Sequence, residues 1–115
     1  MDQICLAVPI LPGKVDVARA FMTELEDERK ADYDRSERRI GITKEVWFLA
    51  NLPSGEHFVA YMESENFGQS LQMFSQSQDA FDMWFKERLA ESTGLDLNNP
   101  PADMSMPELL SNYQA

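Results

Sequence analysis

Cysteine and histidine are nearly missing from this chain: 115 residues contain one of each, Cys5 and His57. A lone cysteine closes no intramolecular disulfide and excludes a CxxC metal site. A lone histidine leaves no H-x-H or H-E-x-x-H spacing, so no transition-metal site is expected. Basic residues are also scarce, 10 against 20 acidic ones, for a net charge of −10. Nucleic acid and anionic membrane both require a positive footprint, so neither is an expected partner. There is no basic stretch followed by an apolar leader, and no run of about 18 apolar residues, so a cytoplasmic location is expected. The nucleophile elbow G-x-S-x-G is missing. So is a phosphate loop, since Pro12-Gly13-Lys14 lacks the further glycine and the Ser/Thr of that motif. Nothing in these residues calls for a cofactor.

What remains is an ordinary globular composition, 43% apolar and 26% charged, in a length that suits one domain with a modest core. Its centre is 43–64, which reads as a β-hairpin. The first strand is 43–51, the turn 52–56 contains Pro53 and Gly55, and the second strand is 57–63. A turn longer than two residues fits those two punctuators. Alternation then groups Val46, Phe48 and Ala50 with Phe58, Ala60 and Met62 on one apolar face. Trp47, Leu49, Val59 and Tyr61 fall on the other, with Glu45, Asn51, His57 and Glu63 nearer its ends. A solvated face does not normally carry such aromatic and aliphatic residues. Both faces are therefore expected to be covered, the first by the chain's own helices.

Upstream, 3–11 reads as a central strand with Cys5 as a small buried residue, ended by Pro9 and Pro12. One long helix is expected over 15–38. Ala18, Phe21, Met22 and Leu25 form its buried stripe, and a charged half follows as a solvated face anchored by Tyr33. Gly41 suits the helix stop. Downstream, Asn66 caps a short helix over 67–74, and Ser77 or Asp79 caps another over 80–92 that stops at Gly94. Leu95, Asp96 and Leu97 can form a short edge strand. The order β-α-β-β-α(-β) implies an α+β, ferredoxin-like sandwich with a short or missing last strand. The domain is expected over 1–98. A Pro-rich tail, 99–115, is apolar enough to dock on the domain or on a partner subunit. The helices leave the Trp47/Tyr61 face open, which points to a homodimer through the sheet.

The candidate ligand-binding residues are Trp47, Asn51, Tyr61, Glu45, Glu63 and Trp84. Glu45 and Glu63, on one face in this reading, could share a proton or hold a metal, but ion pairs with Lys44, Arg38 or Arg39 are expected. Trp47, Asn51 and Tyr61 suit either an apolar pocket with a few polar groups or a dimer interface, where aromatics are enriched, and the interface is expected. Trp84, with Phe81 and Phe85, reads as core that could also line a cleft. His57, at a strand start beside the turn, reads as exposed rather than as a general base or haem ligand.

Three stretches carry a resemblance. They are Cys5-Leu6-Ala7-Val8-Pro9-Ile10-Leu11-Pro12-Gly13-Lys14, then Gly41-Ile42-Thr43-Lys44-Glu45 with Pro53-Ser54-Gly55-Glu56, then Ser77-Gln78-Asp79-Ala80-Phe81-Asp82-Met83-Trp84-Phe85 with Gly94-Leu95-Asp96-Leu97. Together they resemble a small uncharacterised bacterial family of about this length. More loosely the chain is similar to the dimeric α/β-barrel superfamily, which includes cofactor-free monooxygenases of the antibiotic-biosynthesis type, muconolactone-isomerase-like proteins and haem-handling relatives. The resemblance implies two sheets face to face and a ligand between sheet and helices or within the barrel. The short final strand departs from that pattern. Two functions follow as expectations. The first is a small acidic homodimer that binds a small apolar ligand or a protein partner. The second is a cofactor-independent monooxygenase or isomerase acting on an aromatic or polyketide-like molecule. A cavity of a few hundred Å³ with convergent polar groups would favour the second.

Overall fold

The structure, a computed structural model, describes residues 1–102, 104 and 106–115. Asp103 and Ser105, within the tail expected to dock, lie outside the described residues. The elements are β1 (Asp2–Pro9), α1 (Val15–Glu26), α2 (Lys30–Ile40), β2 (Ile42–Leu52), β3 (Gly55–Ser64), α3 (Phe67–Gln76) and α4 (Ala80–Thr93). They form a mixed α+β fold with a three-stranded antiparallel sheet in the order β1-β3-β2. Among the described residues no helix is long and apolar enough to cross a membrane.

Only β3 is central. The expectation that β1 is central too needed a fourth strand beside it, and 95–97 does not form one. Leu95 and Leu97 instead pack their side chains against the core.

The expected long helix is two helices. Ala18, Phe21 and Leu25 are the buried stripe of α1, and Tyr33, Ser36 and Ile40 that of α2. From Leu25 to Tyr33 is eight residues, which in one continuous helix lies ~80° past two full turns. The turn between Glu26 and Lys30 resets that phase, so both stripes face inward. Arg29 holds the turn. Its guanidinium contacts Glu24 at 3.1 Å and lies over the Trp84 ring at 4.5 Å from the centroid. The charged composition of 26–35 hid this second buried stripe.

The hairpin turn is tighter than expected. Leu52 pairs with Gly55, so only Pro53 and Ser54 lie between the strands. The register therefore places Trp47 opposite Ala60 and Leu49 opposite Phe58. A one-residue change of register moves every side chain of a strand to the other face. Glu45, Trp47 and Leu49 thus join Phe58, Ala60 and Met62 beneath the helices. Val46, Phe48 and Ala50 join Val59 and Tyr61 on the outer face. A bulge at Thr43 keeps Ile42 on the inner face as well, opposite Ser64.

The core lies between the inner face and the helices. Phe21 is its hub, with edge contacts to Phe58, Trp84 and Phe85 at centroid distances of 6.3, 5.5 and 5.0 Å. Such aromatic pairs favour offset or edge geometry. Capping follows the sequence: the Asn66 side chain accepts from the Gln69 N–H, and Asp79 from the Phe81 and Asp82 N–H groups. Gly41 and Gly94 end α2 and α4 at φ 87° and 79°, in the left-handed region where a Cβ is unfavourable. Lys86, fully buried, donates to the carbonyls of Phe74, Ser75 and Ser77 at 2.9, 3.3 and 2.9 Å, satisfying the end of α3.

Candidate functional site

The register that turns Glu45 inward places a carboxyl in the core, with α2 above it. Tyr33 and Glu37, one helical turn apart, both reach it. Glu45 Oε2 accepts from the Tyr33 hydroxyl in a short hydrogen bond, and from the indole N–H of Trp47 at 3.0 Å. No cation stands beside it among the described residues: the ion pairs of α2 engage Glu26, Asp32, Asp34, Asp79 and Asp82.

A buried carboxylate without a counter-charge resists ionisation. Burial raises the Glu45 carboxyl above its ordinary range, and the hydrogen bonds from Trp47, Tyr33 and Glu37 pull part of the shift back. Burial, and then the Glu45 charge beside it, pushes Glu37 up to about 10. Burial and the same charge drive the Tyr33 phenol far above its ordinary range. One oxygen of Glu37, Oε2, is buried and receives no hydrogen bond. A carboxyl that lacks a donor, next to a carboxylate that accepts, holds the proton itself. Two carboxyls this close, with no cation beside them, titrate as a unit.

Glu37, Ile42 and Glu45 form a wall between two spaces. Outside is an open cleft of about 820 Å³ between α2 and β2, whose lining includes Lys30, Tyr33, Lys44 and Val46. Inside is a recess of about 60 Å³ among Trp47, Met62, Leu71, Phe74 and Phe85. Chemically, the pair can accept a hydrogen bond or a positive charge at Glu45, donate from Glu37, or pass a proton between them.

Of the candidate residues, Glu45 and Trp47 meet here. The others are elsewhere. Trp84 packs on Phe21 and Phe81 under Arg29. Asn51 is exposed near the hairpin turn, opposite Glu56. Tyr61 and Glu63 are on the outer face, where Gln3 Nε2 donates to the Tyr61 hydroxyl at 3.0 Å, which donates to Glu63 at 2.6 Å. Glu45 and Glu63 therefore lie on opposite faces, and neither forms an ion pair with Lys44, Arg38 or Arg39 among the described residues. Trp47 is under the chain's own helices, in edge contact with Phe58 at 5.2 Å, and so is not an interface residue on the open face. His57 is buried, and its Nδ1 donates to the Gly55 carbonyl at 2.8 Å. Cys5, expected to be buried, is exposed, because β1 is an edge strand and this position faces outward.

Sequence reasoning passed over Tyr33 and Glu37 as a site. Their signal was the spacing Tyr33, Ser36/Glu37, Ile40, a helical stripe written partly in polar letters. No curated protein and no solved structure matches the chain. A family model does, over residues 1–104, and the chain belongs to that family, DUF6176, a family of unknown function.

Proposed function

We propose that this protein binds a small, largely apolar molecule at the Glu37–Glu45 pair, and does so as a homodimer joined through the outer face of the sheet. The carrying observation is the shared wall: a proton-sharing carboxyl pair stands between an open cleft and an apolar recess. Ligand sites of about 300–1,000 Å³ with a few convergent polar groups are the common pattern, and the cleft is of that size. The recess has room for about one or two waters or a small apolar group, not a whole ligand. The ligand body lies in the cleft against Tyr33, Ile42 and Val46, and its polar head meets Glu45.

In fold terms the chain reads as a ferredoxin-like relative of the dimeric α/β-barrel type, without the last strand and with its first helix divided. The dimer reading rests on the outer face, and no longer on Trp47. Phe48 is 57% exposed there and Leu52 41%, and Cys5 and Ala7 are exposed on the far side of β3. The charged side chains of its paired strands are Lys44 and Glu63, which face each other. A neutral face on a chain of net charge −10 is where two copies repel least.

A second reading has its own support. One protonated and one ionised carboxyl can give a proton to one atom of a substrate and take one from another, which suits a cofactor-independent isomerase better than a monooxygenase.

Native mass spectrometry of protein purified gently from cells tests the binding. A bound small molecule is expected, lost in Glu45→Gln while that variant still melts cooperatively. A chain that carries nothing, with a Trp47 indole resonance unmoved by a library of small aromatic and aliphatic compounds, removes the ligand reading. Solvent deuterium appearing in the bound molecule selects the isomerase. Sedimentation equilibrium at micromolar concentration decides the dimer.

A further inference from the structure

The outer face has a neighbour within its own chain. Residues 107–113 run past it and share with Gln3, Cys5 and Tyr61 an open space of about 570 Å³. The segment carries Leu109, Leu110 and Tyr113, exposed by 57%, 84% and 87%. Opposite it, Cys5 is exposed and Tyr61 is half-buried. An exposed apolar segment thus faces the Cys5 side chain and the Tyr61 ring across a gap, and closing it removes Leu109 and Leu110 from water. The segment has one charge, Glu108, so it reaches a neutral face without adding much repulsion. It also lies beyond residue 104, where the family match ends.

We propose that residues 107–113 are an intramolecular strap that closes over the outer face of the sheet at Cys5 and Tyr61. On the dimer reading above, on which this consequence alone rests, the strap competes with a second copy for the same surface. A competitor that holds the face closed most of the time raises the dimer dissociation constant by the inverse square of the open fraction, since both copies must be open.

Cys5, the one native thiol, makes the contact measurable. The full chain carrying Leu109→Cys, Leu110→Cys or Ser111→Cys is oxidised at dilute concentration and run on a non-reducing gel. An intramolecular disulfide with Cys5 in at least one variant, locking faster than in urea, is the expected result. Three positions are used so that one unfavourable side-chain direction does not decide the outcome. No disulfide in any of them, or only disulfides between chains, overturns the strap. Sedimentation then separates the two readings. The double variant Leu109→Ser/Leu110→Ser is expected to dimerise about a hundredfold more tightly than the native chain if the strap is closed nine-tenths of the time, because both copies must be open. If the intramolecular disulfide forms but neither chain self-associates, the dimer reading falls and the strap stands. If both chains dimerise equally and the disulfide does not form, the strap falls and the dimer stands.

Discussion

Asp82, fully buried, and Glu45, half-buried, lie on either side of α2 and are held in opposite ways. Asp82 has no exposed surface and accepts from the Ser36 hydroxyl, the Ser77 hydroxyl and the Arg39 guanidinium. Glu45 accepts from a phenol and an indole, with another acid for its third neighbour. Both sets draw on the same helix: Ser36 and Arg39 turn toward α4, Tyr33 and Glu37 toward β2. The first set includes a cation, and it ties α2 to the start of α4. Its absence in the second leaves Glu45 dependent on a proton kept next door. The first arrangement is architecture. The second keeps something exchangeable, which is the property a binding or proton-transfer site requires.

The comparison breaks most visibly at Asp82. Asp82→Ala removes the acceptor of three groups, and hydrogen bonds to a charged group contribute about 1.5–3 kcal/mol each. Arg39 is 36% exposed and can turn to water, whereas Ser36 is fully buried and cannot. A loss of about 3 kcal/mol in urea denaturation is expected, below the sum of the bonds. A loss under about 1 kcal/mol would mean that the helices are joined by apolar packing alone.

Tyr33→Phe comes next. It keeps the ring that stacks on Phe81 at 6.3 Å and removes only the donor to Glu45. About 2 kcal/mol of destabilisation is expected from a bond to a charged acceptor. The indole N–H resonance of Trp47 should also move, because Glu45 would bind its proton more readily. An unchanged indole signal would place the negative charge of the pair on Glu37 instead.

Much of this was readable in the letters and some was not, for definite reasons. The hairpin, the helix stops at Gly41 and Gly94 and the caps at Asn66 and Asp79 depend on local chemistry, and local chemistry is written in neighbouring residues. Which side of the sheet Trp47 occupies depends on whether the turn holds two residues or more, and Pro53-Ser54-Gly55 is compatible with either. That single residue of register exchanged the faces and separated Glu45 from its expected mate Glu63. The missing fourth strand turned β1 into an edge and exposed Cys5. Asp82 and Lys86 escape any apolar periodicity because they are buried charges, and only their partners on other elements explain them. Glu45 was singled out, but its true partner lies on a stripe disguised by charged neighbours.

The effect that is smallest per step, and that separates the two carboxyl sites most cleanly, is in pH, where it accumulates unit by unit. Glu37 binds its proton up to about 10 in the folded protein and to its ordinary value of 4.5 in the unfolded chain. Between those values the folded state holds the extra proton, so stability falls as pH rises. The stabilisation is complete below the unfolded value and disappears as pH passes the folded one. A full proton of difference corresponds to about 1.4 kcal/mol per pH unit. Sharing with Glu45 spreads the titration, so a slope of about 1 kcal/mol per unit between pH 6 and 9 is expected for the native chain. Glu37→Gln keeps a donor toward Glu45 and has no proton to lose, so its stability should be nearly flat over the same window. Asp82 has its cation in both chains and adds nothing to the difference between them. Urea denaturation of the two proteins at several pH values reads that difference directly. Parallel curves would mean that Glu37 ionises as an ordinary surface acid, and the proton-sharing pair would have to be abandoned.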